Sequence, residues 1–311
     1  MPLKFNDAIE VLLQKLPKMS DNIKPEYIEY ADQISKQIYQ ALEDINSIFK
    51  GTITGLNRTC FFNPTYPQFW GTSIDINMPF NVQPQEIGYF KKCGMIFPEY
   101  KLKTSTNYPA VQNGYVSTQR LSILLDLDLK RAVEKIQKFK GSKGEIFNLH
   151  YASEIKEYTS ILVCKIGAIE ESNDKKDKPL ESATIFFKFV PHFKFSNQSE
   201  MYVMVHSKNG FTPVDEAENK LIRKNMVDFQ NLIFNLNVKE MQYFLFSTTF
   251  LHLLTQGDMA TILLQGLREL ILSSKDTGRQ KTLKYVYGKL LQFKKSDSVE
   301  MQELMELFGQ K

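Results

Sequence analysis

The spacing of apolar residues changes twice along the chain, and this change constrains the fold more than any other feature. Over residues 1–50 and 212–311 apolar residues recur every three or four positions, as on helices that bury one face. Over residues 51–210 short runs rich in Phe, Tyr, Ile, Val and Thr alternate with turn-forming residues, as in strands. The pattern predicts an α+β fold with an N-terminal helical pair, a mainly antiparallel β middle domain and a C-terminal helical domain.

We place the domain limits at residues 1–50, 51–210 and 211–311. In the first segment one helix is predicted from Leu3 to Leu16, and a longer one begins at Pro25, since proline suits the first turn of a helix. One apolar stripe runs along the longer helix and must pack against another element. Its members are Tyr27, Ala31, Ile34, Ile38, Ala41, Ile45 and Ile48.

Within the β domain, four alternating segments between residues 144 and 208 predict an antiparallel meander, because short connections join neighbouring antiparallel strands. One helix, from about Leu127 to Lys138, is expected to interrupt this domain. The polar segment from Glu170 to Ser182 is predicted to be a mobile surface loop.

Two patterns describe the start and the centre of the C-terminal domain. Thr212-Pro213-Val214-Asp215 resembles a capping box, with Thr212 as N-cap and Pro213 as the first helical residue. The stretch from Met241 to Leu254 is apolar nearly all round, which predicts a buried central helix. At 14 residues it is too short to span a bilayer.

Composition excludes several classes of protein. In 311 residues, 42% are hydrophobic and 24% are charged, as in globular rather than disordered chains. The three cysteines are too few and too scattered for a disulfide framework or a zinc site. The first 19 residues lack the order of a signal peptide, and no apolar run is long enough for a membrane span. We therefore expect an intracellular protein, cytoplasmic or nuclear and not secreted.

Local charge gives the best functional signal, because seven basic residues and one acidic residue lie between Lys275 and Lys295. On a helix, Leu283, Val286, Tyr287 and Leu290 share one side. The opposite side carries Tyr285 and four lysines: Lys281, Lys284, Lys289 and Lys295. Such a face can neutralise phosphates while the tyrosine ring stacks on a base. The alternative is an ordinary solvated helix face.

A second basic run surrounds Gly141 and consists of Lys135, Lys138, Lys140 and Lys143. Lys138 and Lys140 are candidates to extend the phosphate-binding surface, although taken alone this run is typical of a solvated helix end and loop.

The last helical segment, from Ser298 to Phe308, carries an apolar stripe made of Met301, Leu304, Met305 and Phe308. Three glutamates, Glu300, Glu303 and Glu306, lie largely off this stripe. A clean stripe near a chain end indicates docking, either on the chain's own domain or on a neighbouring copy as an oligomerisation arm.

Signals for catalysis are weak. The four histidines lack metal-ligand spacing, and no nucleophile or phosphate-loop motif is present. Asp126 and Asp128 are candidates for a pair of metal-binding carboxylates, but they would share one face only if they lay on a strand. Glu154 and Lys156 have the spacing found in metal-dependent nucleases, and this spacing is common by chance. The Phe187 to Val190 segment resembles the aromatic strand of RNA-recognition motifs, but the preceding basic-Gly pair is absent. We predict no metal and no cofactor.

These signals favour a non-catalytic, self-assembling protein that binds single-stranded nucleic acid in the manner of a nucleoprotein. A structural or scaffold subunit without nucleic-acid binding is the alternative, and a metal-dependent nuclease or nucleotidyl enzyme is the third possibility. The sequence does not distinguish RNA from DNA.

Overall fold

The three-dimensional structure is a computed structural model. It describes residues 1–18, 21, 23–50, 60–62, 69–78, 81–92, 95–151, 163–171, 183–194, 200–204, 210–236, 257–273 and 277–309. The chain divides into two compact units. The helical unit comprises Met1–Ile23, Phe62–Pro67 and Lys220–Lys311, and the β unit comprises Lys24–Phe61 and Gln68–Asn219.

In the described residues, helices lie towards both ends of the chain, which confirms the helical N-terminal and C-terminal regions that the sequence predicted. Their bounds are α1 (Phe5–Lys15), α2 (Pro25–Asp44), α3 (Thr118–Ile136), α4 (Glu216–Asn235), α5 (Met259–Ser273), α6 (Thr277–Ser296) and α7 (Met301–Leu307). None of them is both long enough and apolar enough to cross a membrane.

The strands, together with the helices, establish the α+β fold class. Their bounds are β1 (Cys60–Phe62), β2 (Phe69–Asn77), β3 (Gln83–Lys92), β4 (Met95–Lys103), β5 (Val111–Gln112), β6 (Tyr115–Val116), β7 (Lys138–Lys140), β8 (Ile146–Tyr151), β9 (Val163–Glu170), β10 (Thr184–Lys194), β11 (Glu200–Met204) and β12 (Phe211–Asp215). One sheet runs in the order β5-β6-β4-β12-β11-β10-β9-β8-β7, with β3 beside β4, β2 beside β10 and β1 beside β2.

Strand β10 organises the sheet. It pairs with β9 and β11 antiparallel, and the antiparallel β8–β9 pair continues the meander that the sequence predicted. It also pairs parallel with β2, from Thr184 opposite Phe69 to His192 opposite Asn77. Phe187 and Phe189 are buried on it, so the segment resembling an RNA-recognition strand lies in the sheet core.

Helix α2 packs in the β unit through the predicted stripe. Tyr27, Ala31, Ile34, Ile38 and Ala41 are all buried, whereas Ile45 and Ile48 lie beyond the helix end and are half-buried. Polar atoms at its first turns are paired: the Tyr27 hydroxyl donates to Glu170 Oε2 at 2.8 Å, and the Tyr30 hydroxyl donates to Glu145 Oε2 at 2.8 Å. Burial, and then the bond to Glu170, raise the pKa of Tyr27, so its hydroxyl keeps its proton at neutral pH.

Two predicted boundaries were wrong. The middle helix begins at Thr118 rather than near Leu127, because the Ser117 side chain caps it by accepting from the Arg120 N–H at 3.3 Å. Thr212 and Pro213 lie in β12 opposite Val203 and Tyr202, not in the first turn of a helix. Pairing with β11 overrides the local capping signal, and α4 begins directly after the strand.

Some predictions fall on residues that the structure does not describe. The central helix predicted from Met241 to Leu254 and the Glu154 to Lys156 pair lie outside the described residues. Residues 172–182, most of the predicted loop, also lie outside them.

The core of the helical unit joins both ends of the chain. Helix α1 packs against α5 and α7, and α5 packs against α6. Leu3 and Val299 exchange two backbone hydrogen bonds of 2.9 Å, and Asp297 Oδ1 accepts from the Phe5 N–H at 3.1 Å. The N-terminal helical pair of the sequence is therefore divided, since α1 belongs to the helical unit and α2 to the β unit.

A pair of glycine substitutions tests this core. A Cβ at Gly266 in α5 would lie 2.4 Å from Cζ of Phe229, a fully buried ring on α4, whereas a Cβ at Gly288 in α6 meets no atom within 4 Å. We expect Gly266→Ala to destabilise the protein, because overpacking costs about 1–3 kcal/mol. Gly288→Ala should stabilise it by up to about 1 kcal/mol through helix propensity. Thermal unfolding measures both, and shifts of the same sign would contradict this packing.

Candidate nucleic-acid interface on helix α6

Helix α6 buries one face and exposes the other, as its sequence predicted. Leu283, Val286 and Leu290 are buried. Exposed on the opposite side are the four predicted lysines, Lys281, Lys284, Lys289 and Lys295. At about 100° per residue these lysines fall within an arc of roughly 140°. We call this exposed side the lysine face.

Tyr285 lies within the lysine face, one helical turn from Lys281 and one from Lys289. Its side chain is 63% exposed, although an aromatic ring normally gains free energy by burial. Gly288, near the centre of the same face, leaves the backbone there uncovered. A flat ring between two ammonium groups is suited to stacking on a base whose phosphates the lysines contact.

The charges on α6 are not balanced by acidic residues on the same helix. The helix contains six basic residues and no acidic one. In the part of the chain that the structure describes, no lysine of α6 forms a salt bridge. Like charges one turn apart on a helix repel each other. Lys281 and Lys284 therefore weaken the free helix, and a bound anion would relieve that cost.

Lys294 and Lys295 differ from the other lysines, because they lie in the last turn of α6. Cations there interact favourably with the exposed carbonyl groups and the negative end of the helix dipole. Lys295 thus has a structural explanation that Lys281, Lys284 and Lys289 lack.

The second basic run has a different environment. Lys138 and Lys140 lie on β7 in the β unit, rather than on a helix end, and both are exposed. Lys138 Nζ lies 3.3 Å from Glu171, Lys135 Nζ lies 2.6 Å from Asp44, and Lys143 is bonded to Glu26. Its hydrogen bond to Glu26 raises the pKa of Lys143 and lowers the pKa of Glu26, which keeps this pair ionised at neutral pH.

These ion pairs leave Lys140 as the member of the second run without an acidic partner in the described residues. Three of the four charges are already compensated, so this run has less to gain from phosphate than the lysine face.

The apolar stripe of α7 is used inside the helical unit. Leu304 and Phe308 are fully buried, while Met301 and Met305 are half-buried. Of the two kinds of docking that the sequence left open, the structure shows docking on the chain's own unit. The oligomerisation role of the stripe stays a prediction, and it now depends chiefly on Met301 and Met305.

An open groove of about 490 Å³ separates α6 from α7 and was not anticipated from the sequence. The α6 wall consists of Thr282, Tyr285, Val286, Lys289 and Phe293. The α7 wall consists of Glu303, Glu306 and Leu307. The α6 residues recur every three or four positions, and this spacing can be recognised in the sequence. The position of α7 beside α6 cannot.

The carboxylate pair considered in the sequence, Asp126 and Asp128, does not form a metal site. The described residues contain no cluster of three or more His, Cys, Asp or Glu side chains arranged to hold a metal ion. Asp126 and Asp128 lie on α3, where residues two positions apart point in different directions, so they do not form a carboxylate pair. Asp128 is buried and accepts a 2.6 Å hydrogen bond from the Ser47 hydroxyl. This bond gives the carboxylate a partner within the fold.

Comparison with known proteins adds no family to these observations. No protein-family model matches the sequence, and a search of curated proteins finds no match to it.

Proposed function

We propose that this protein binds the backbone of single-stranded nucleic acid through the lysine face of α6. The observation that carries the proposal is the group of three exposed lysines without salt bridges in the described residues, with the exposed Tyr285 ring among them. Phosphate contacts by lysine and stacking on an aromatic ring are the two interactions that sequence-tolerant single-strand binding requires.

Self-assembly is the second part of the proposal, in an intracellular setting, cytoplasmic or nuclear. Nucleoprotein-like proteins cover a strand with many copies, and cooperativity along the strand is usual for this kind of binding. The half-buried Met301 and Met305 retain some exposed surface for a neighbouring copy. A monomer by light scattering at tens of micromolar, both alone and with a long strand, would remove this part of the proposal.

The direct test is binding of a fluorescently labelled single strand at low salt, measured by anisotropy on the full chain. Binding that weakens with increasing salt supports the proposal, because released counterions dominate such binding. Absence of binding at low salt would overturn it and favour the structural-subunit alternative. Activity that requires a divalent metal would instead favour the enzyme alternative.

Tyr285 provides a prediction that separates stacking from charge. Tyr285→Ala should weaken binding by roughly 5- to 150-fold, corresponding to about 1–3 kcal/mol of stacking per base, without changing the salt dependence. Tyr285→Phe is the matched control, since it keeps the ring and should bind like the wild type. Equal losses in the two variants would show that the hydroxyl, and not the ring, contacts the ligand.

A further inference from the structure

The groove between α6 and α7 combines three kinds of chemistry. Tyr285 and Phe293 contribute aromatic surface, and Val286 and Leu307 contribute aliphatic surface. Lys289 is a hydrogen-bond donor, whereas Glu303 and Glu306 are acceptors when ionised. At about 490 Å³ the groove lies in the size range of small-ligand sites.

The two glutamates are the unexpected members of this set. Both are exposed, and both lie on α7, opposite the wall that carries Tyr285 and Lys289. A carboxylate repels phosphate, so these groups do not serve backbone binding. Together with Tyr285 and Lys289, they suit a ligand that is flat, presents N–H donors on its edge and is attached to an anion.

We infer that the groove is a base pocket that prefers nucleobases with an exocyclic amino group, an inference that rests on the proposed function. The base stacks on Tyr285, its phosphate contacts the lysine face beside Lys289, and Glu303 or Glu306 accepts a hydrogen bond from the amino group. A glutamate accepting from the N4 amino group of cytosine is an established pairing chemistry.

Cytosine and uracil give the sharpest comparison, because they are pyrimidines of nearly equal size and stacking surface. Cytosine presents an amino donor at position 4, whereas uracil presents a carbonyl oxygen there. A carboxylate attracts the former and repels the latter. The groove therefore predicts tighter binding of cytosine strands than of uracil strands.

The experiment measures the affinities of oligo(rC) and oligo(rU) of equal length by fluorescence anisotropy at pH 7.5. For the wild type we expect oligo(rC) to bind about fivefold tighter or more. Glu303→Gln and Glu306→Gln are made singly, since an amide can pair with either base, and at least one of them should bring the affinity ratio close to one. Because both side chains are exposed, we expect the variants to fold, and circular dichroism checks this.

Glu300→Gln is the matched control. Glu300 is exposed at the start of the same helix, but it does not line the groove. All three variants remove one negative charge, so each should strengthen the general electrostatic attraction of both strands by a similar factor, and for Glu300→Gln this is the whole expected effect. Only the groove variants should change the ratio between cytosine and uracil.

The outcomes separate this inference from the proposed function. If the wild type binds neither strand at low salt, the proposed function fails and the base pocket fails with it. If it binds both strands equally well, or if its preference survives both groove variants, the base pocket is wrong while backbone binding stands.

Discussion

Replacing Phe308 by Ala is expected to lower the free energy of unfolding by about 3–5 kcal/mol, because a lost ring leaves a cavity in a packed core. The Phe308 side chain is fully buried, and its N–H donates to the Leu304 and Met305 carbonyls at 3.3 and 3.0 Å. Leu304 on α7, the helix that Phe308 follows, is also buried, and α7 packs on α1. Phe308 therefore lies in the packed core of the helical unit, directly after α7. Urea unfolding followed by circular dichroism measures the loss.

Met305→Ala is the matched control for that prediction. Met305 lies on the same predicted stripe but is only half-buried, so its truncation should cost about 1 kcal/mol or less. Light scattering of both variants adds the readout for assembly. If Phe308→Ala unfolds at the wild-type urea concentration yet forms a smaller oligomer, the ring packs on a neighbouring copy and the described docking is wrong.

Elements with a strong hydrophobic period could be predicted from the sequence. The stripe on α2 and the opposite faces of α6 follow from which side chains recur every three or four residues, because a helix buries one side. Alternation within residues 144–208 likewise predicts the antiparallel β8–β9–β10–β11 order. In each case the period determines which face is buried.

The period does not determine which element covers that face. The parallel pairing of β10 with β2 joins residues more than 100 positions apart, and α1 packs with C-terminal helices rather than with α2. Such contacts depend on the complementarity of whole surfaces. The capping signal at Thr212 failed for a related reason, since pairing with β11 outweighs a cap of about 1 kcal/mol.

The candidate site shows the same division. The lysine face could be predicted, because its residues lie on one helix and the period alone places them. The groove could not, since its acidic wall comes from α7 and its geometry requires the chain to reverse between Ser296 and Met301. The backbone bonds between Leu3 and Val299 hold that reversal, so the site depends on a partner segment almost 300 residues away.

Replacing Lys281, Lys284 and Lys289 together by Ala is expected to have the largest effect on binding. Each lysine that contacts phosphate contributes about 0.7 to the slope of log affinity against log salt for a single strand. If all three make contact, the slope should flatten by about 2, which corresponds to roughly a 100-fold loss of affinity at 0.1 M salt. Fold stability should barely change, because the three side chains are exposed and form no salt bridge in the described residues.

The control for this triple variant replaces Lys36, Lys103 and Lys130 by Ala. These lysines are also exposed, and in the described residues they form no salt bridge, but they lie on α2, β4 and α3. The net charge falls by the same amount in both variants, so a difference between them measures contact with phosphate rather than long-range attraction. A salt series on a labelled single strand distinguishes the two. If both triple variants lose the same affinity with unchanged slopes, α6 attracts the strand without touching it, and the lysine face is not the binding site.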